Sequence, residues 1–226
     1  MTSVDWVGEY RAARGRITDL ARNLDSAELA TTVPACPEWT VHDTIAHVAG
    51  IAVAVTSGDF PSGDQQAWLD GLVDQRRGRA TSDVLDEWND ASAATDAFLT
   101  NMGPAGGQMV YDVVAHEHDI RHALDRPGGR DVSGVVACAH AMSRILESDL
   151  AKAGLPAVRI TSAGRTWDVG DGEPALSIEL EPFELIRVFG SRRSEQQLRA
   201  LPWQGDLDRY LPALAHHPFP VSDLVE

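Results

Sequence analysis

The chain has 226 residues, a 43% hydrophobic share and a formal charge of −15 at pH 7, enough for one large domain or two modest ones around a real core. That acidity argues against nucleic acid, whose binding rests on cationic neutralisation of phosphates, and against a polybasic role at a membrane surface. Cys36 and Cys138 are too few for a disulfide scaffold. Met1 to Trp6 lacks the start of a signal peptide, and the longest apolar stretch, near Val48 to Val55, is far below the roughly 20 residues of a membrane span. A soluble cytoplasmic protein is expected.

Trp6, Tyr10, Ala13, Ile17, Leu20 and Leu24 recur at helical spacing and predict a first amphipathic helix. A Pro-rich loop with Pro34 and Pro37 follows. Thr40-Val41-His42-Asp43 then reads as a capping box with Asp in place of Glu, opening a helix that turns Val41, Ile45, Val48 and Ala52 inward. A short helical piece is expected near Ala67 to Arg77, and Ser82 is expected to cap a long helix carrying Trp88, Thr95 and Leu99. Gly103-Pro104-Ala105-Gly106-Gly107 punctuates the chain before a helix from about Met109 to Leu124, and another covers roughly Val132 to Ala153.

The texture then changes. Val158–Thr161, Thr166–Val169 and Leu176–Leu180 alternate as strands between Gly-containing turns. Phe183–Phe189 and Ser194–Leu201 read as helices, and the Pro-rich tail as ordered coil. The expected class is α+β: a bundle of four or five helices over residues 1–154, then a small α+β domain over 155–226.

Asp112 and His116 stand four residues apart on a predicted helix, and at 3.6 residues per turn they share one face. A carboxylate and an imidazole so placed can share one metal ion. Taken alone, such a pair is also an ordinary helix contact worth a few tenths of a kcal/mol. Asp119 continues the stripe and could fix the His116 tautomer from behind. His47, among Ile45, Ala46 and Val48, is the candidate third ligand, against the alternatives of a core histidine or a partner of Asp43. Glu117, His118 and His122 fall on other faces and are expected in solvent, with His118 the alternative to His116. Cys36 and Cys138 are read as small buried hydrophobes, and Trp39 and Trp203 as packing anchors. Among Arg187, Arg192 and Arg193, the pair Arg192 and Arg193 could fork a substrate carboxylate; the alternative is charge pairing with a helix C-terminus near Gly190.

The run from Cys36 to Gly50 (CPEWTVHDTIAHVAG) resembles the second-helix segment of the mycothiol-dependent maleylpyruvate isomerase family, within the DinB/YfiT-like metalloenzyme superfamily. Asp112 to Leu124 resembles its second signature: a carboxylate, three residues, His, two residues, Asp. Gly190–Ser194 with Leu201–Asp206 resembles its C-terminal segment. The resemblance implies a DinB-like four-helix bundle holding a divalent metal, usually zinc, through His47, Asp112 and His116. Where the family pattern has Glu, this chain has Asp112, one methylene shorter.

The implied co-substrate is mycothiol, the low-molecular-weight thiol of actinobacteria. The implied activity is that of an isomerase or S-transferase acting on a small electrophile, with or without a carboxylate, through a metal-bound thiolate. The partners are then a small-molecule thiol and an electrophile. Nickel and iron suit the same donors as zinc. Two alternatives stand beside it: a metal-dependent hydrolase using water, and a non-catalytic metal- or ligand-binding module.

Overall fold

The computed structural model describes residues 4–215 and 217–226, with the backbone alone at 143 and 144. Residues 1–3, part of the segment in which no signal peptide is read, lie outside this range. The chain forms two compact units, Met1–Gly128 and Gly129–Glu226.

The first unit begins with α1 (Trp6–Ala21), capped by the Asp5 carboxylate on the Gly8 amide, and a single turn, α2 (Ser26–Leu29). A hairpin follows, β1 (Thr32–Val33) paired antiparallel with β2 (Cys36–Thr40). This is the stretch expected as loop. Pro34 lies in the turn and Pro37 inside β2, and together they obscure the short pairing in the sequence.

The capping box at Thr40 and Asp43 is formed and opens α3 (Val41–Ser57). Next come α4 (Gln65–Arg77), α5 (Thr81–Asp90) and α6 (Ser92–Met102). The long helix expected after Ser82 is thus broken at Ala91, and Ser82 lies inside α5, whose N-cap is Ala80 with no side-chain cap. A 3-10 turn over Gly103–Gly106 leads directly into α7 (Gly107–Ala123).

Helices α1, α3, α6 and α7 form a four-helix bundle: α1 packs on α6 and α7, and α3 packs on the same two. Helix α4 lies along α3, where Gly50 permits the approach; a Cβ there would stand 3.0 Å from the Leu72 Cβ. Tyr10, Ile17, Ile45, Trp88, Leu99 and Ile120 fill the core. Inside it, Trp88 Nε1 donates to Tyr10 Oη at 2.9 Å, so both polar tips are satisfied by each other.

The second unit holds α8 (Ser133–Ala153), β3 (Val158–Ser162), β4 (Arg165–Val169), β5 (Leu176–Glu179), α9 (Pro182–Phe189), α10 (Glu195–Ala200), β6 (Gln204–Gly205) and α11 (Leu207–Leu214). Its sheet runs β4-β3-β5-β6, with β3–β5 parallel and the other neighbours antiparallel. The division between the compact units falls one helix before the expected boundary at 154/155, because α8 packs on α9, α11 and β4. The expected coil over the tail is corrected too. Tyr210, Leu211 and Leu214 recur at helical spacing and bury one face of α11, although Pro212 interrupts its hydrogen bonds. The protein is therefore α+β, a helical N-terminal domain followed by a small sheet domain. No helix among the described residues is long and apolar enough to cross a membrane.

Candidate metal centre

Each proposed ligand stands where its helix places it. Asp112 and His116, one turn apart on α7, bring His116 Nε2 to 3.6 Å from Asp112 Oδ1. His47 reaches the same oxygen from α3, its Nε2 at 3.5 Å. Donors about 2.0–2.1 Å from a tetrahedral zinc lie roughly 3.4 Å from one another. The two measured separations match that edge. The three donor atoms form a compact triangle, with both imidazoles buried and the Asp112 side chain 34% exposed.

The surroundings of His116 favour a neutral, metal-competent imidazole. Burial pushes the His116 imidazolium below its ordinary value, overriding the opposing pull of Asp119 and Asp112. Behind the ring, fully buried Asp119 holds Oδ2 at 3.0 Å from His116 Nδ1; the pair is not aligned as a hydrogen bond, but a carboxylate so close favours the Nδ1-protonated tautomer, whose Nε2 lone pair faces Asp112. His47 Nδ1 is buried with no hydrogen-bond partner among the described residues. Its Nε2, 3.5 Å from Asp112 Oδ1, is the nitrogen turned to the donor triangle, so two imidazoles and a carboxylate, a donor set that suits a divalent cation, face one point. The residues present therefore fit a divalent metal.

Asp43 is not the partner of His47. It closes the capping box with Thr40 and accepts from Arg77 Nε at 3.0 Å. Burial pushes its carboxyl up, but the Thr40 bonds and Arg77 outweigh this and hold it below the ordinary carboxylate value.

The hairpin supplies two neighbours. Trp39 lies over His47, ring centroids 4.7 Å apart and tilted by 36°, and reaches 6.0 Å from His116. It is a wall of the site as well as an anchor. Cys36 is half-buried, and its sulfur stands within 4.8 Å of donor atoms of both His116 and Asp119. The expectation of a buried Cys36 is corrected in its burial alone; of the two cysteines, Cys138 is the fully buried one. The place of Cys36 depends on the hairpin, which the sequence pattern does not show.

The expectation that Glu117 and His118 are solvated is also corrected. Helix α7 packs against α1, α3 and β1 together, so several of its faces are covered. Glu117 is fully buried and accepts from Arg16 Nε and Nη2 and from Arg121 Nε, at 2.7–2.9 Å. His118 is buried outside the donor triangle, and His122 is half-buried.

In the second unit, Arg193 forks Glu184 through Nε and Nη2 at 2.6 and 2.7 Å and donates Nη1 to Glu226 at 2.8 Å. Arg192 donates Nη1 to the Gly190 carbonyl at 2.7 Å, and the buried Arg187 bonds Glu226. The alternative of pairing near the α9 C-terminus describes Arg192 at Gly190.

A four-helix bundle on which His, Asp and His converge from two helices is a DinB-like helical fold. The family model for the mycothiol maleylpyruvate isomerase N-terminal domain matches residues 10–124, and the chain belongs to that family. The match stops within a few residues of the end of the first unit. Two solved structures share the fold. A mycothiol-dependent maleylpyruvate isomerase is 12% identical, with a TM-score of 0.55 over 84% of this chain and 90% of that one. A point mutant of the isomerase is 11% identical, with a TM-score of 0.52 over 81% and 87%. No curated protein matched the chain.

Proposed function

We propose that this protein is a metal-dependent, mycothiol-using isomerase or S-transferase acting on a small electrophile. The observation that carries the proposal is the convergence of His47 Nε2 and His116 Nε2 on one Asp112 oxygen, at 3.5 and 3.6 Å. Family membership supports mycothiol as the thiol and isomerisation as the chemistry; the solved isomerase supports the same fold.

A divalent metal held by these three side chains would supply an open coordination position and lower the pKa of a thiol that enters it. The protein's own groups do the rest. Asp119 holds the His116 ring in one tautomer, and burial keeps that ring neutral. Trp39 covers His47 and keeps water off that side. Asp112, the most exposed of the three, marks where reactants enter. Asp112 lacks one methylene of the family's Glu, yet its Oδ1 already lies within a tetrahedral edge of both histidines. Among the donors, zinc is the metal best matched by the separations.

The test is elemental analysis of purified protein together with turnover of electrophiles with and without mycothiol. About one divalent metal per chain and thiol-dependent turnover are expected. Absence of metal at protein concentrations well above any plausible dissociation constant would refute the proposal. Turnover without thiol would assign a hydrolase instead.

A further inference from the structure

Helices α1 and α7 run parallel in a fixed register. The Trp6 indole lies against Gly107, where an added Cβ would meet it at 2.9 Å, and ten residues later Arg16 grips Glu117. Both helices advance about 15 Å between these contacts at 1.5 Å per residue. Interpolated along that register, Tyr10 stands level with Tyr111, beside Asp112, and Arg14 with Ala115, beside His116. Tyr10 and Arg14 are one turn apart on the same side of α1. A helical side chain leans toward the N-terminus of its helix, which carries the Arg14 stem back toward the level of Asp112.

Arg14 differs from every other arginine of the first unit. Eight of the nine hold a carboxylate within 3.8 Å. Arg14, half-buried, holds none among the described residues. In a chain with 34 acidic residues against 19 basic ones, an arginine that forms no ion pair is a cation left for something else. The buried Tyr10 reports its direction. Burial pushes the Tyr10 phenol up, with Arg14 opposing and Asp112 adding to the rise, so its hydroxyl lies in the field of both.

We propose that Arg14 is an anion-binding residue beside the metal centre, recognising a carboxylate on the electrophile and favouring anionic over neutral substrates. Guanidinium fits the task because its planar fork matches a carboxylate. The neighbouring Asp112 would otherwise repel an anion, and Arg14 offsets that charge. This inference rests on the proposed function, since it assigns a role at the same site.

The experiment measures binding of maleate and of its neutral dimethyl ester to the metal-loaded protein by calorimetry, in wild type, R14Q and R14K. Metal content and melting temperature are recorded for each. Wild type is expected to prefer maleate. R14Q should weaken maleate at least tenfold, R14K should fall between, and the ester, metal content and melting temperature should be unchanged. Equal maleate affinity in R14Q and wild type, or no preference for maleate in wild type, overturns the inference. An Arg14-dependent maleate site in a protein without thiol-dependent turnover would uphold Arg14 while removing the proposed function. Thiol-dependent turnover with R14Q indistinguishable from wild type would do the reverse.

Discussion

Asp119, without exposed surface, holds its Oδ2 3.0 Å from His116 Nδ1. Both residues come from one helix, three positions apart, so the geometry is set locally and locked by the packing around α7. A carboxylate there orients the ring and raises its basicity as a ligand. Asp119→Asn should lower metal affinity by about 10–100-fold, measured by competition with a chromogenic chelator. Unaltered affinity would remove Asp119 from this role.

The three proposed ligands should differ in what replaces them. His47→Ala and His116→Ala each delete a donor and should abolish stoichiometric metal, read by elemental analysis. Asp112→Asn should do the same by removing the charge. Asp112→Glu should retain metal, because the family pattern uses Glu at this position. Loss of metal in Asp112→Glu would show that the bundle is spaced for the shorter arm.

Stability of the metal-free protein should fall on mild acidification. Burial depresses the folded pKa of His116 below its ordinary 6.5, so between those two values the unfolded chain binds more protons than the folded one. The contribution of neutral His116 is therefore complete above about pH 6.5 and is lost as pH falls toward the folded pKa. Urea midpoints between pH 8 and pH 5 should decline more in wild type than in His116→Gln. Parallel declines would assign the acid sensitivity elsewhere.

Glu117 ties α1 to α7 by accepting from Arg16 and Arg121. Glu117→Gln leaves two guanidinium groups facing a neutral amide and should cost about 2–3 kcal/mol, below the usual range for a buried pair because both arginines retain some exposure. Arg16→Ala should cost less, since Arg121 remains. Urea denaturation would measure both, and the reverse order would mean that Arg16 packing outweighs the charge.

Much of the site's local geometry was legible in the residues. The i, i+4 spacing of Asp112 and His116, the Asp119 position behind them and the Thr40–Asp43 capping box each depend on one helical period or one turn, and each takes the expected form. The parallel strand pair β3–β5 was legible only as two strands, since pairing joins segments 18 residues apart. The break at Ala91 was hidden because the apolar pattern runs through it from Trp88 to Leu99.

What the sequence determined by itself was therefore helical period, capping and the pairing of residues one turn apart, because these are energies of neighbours along the chain. Tertiary structure alone decided that His47 meets Asp112 across two helices, that the β1–β2 hairpin lays Cys36 and Trp39 beside the site, and that α8 joins the sheet. It also decided that Glu117 is buried between arginines and that Arg14 is left without a carboxylate. Each of these depends on which helix faces cover one another, and burial and long-range pairing are settled only when all the faces compete for the same core.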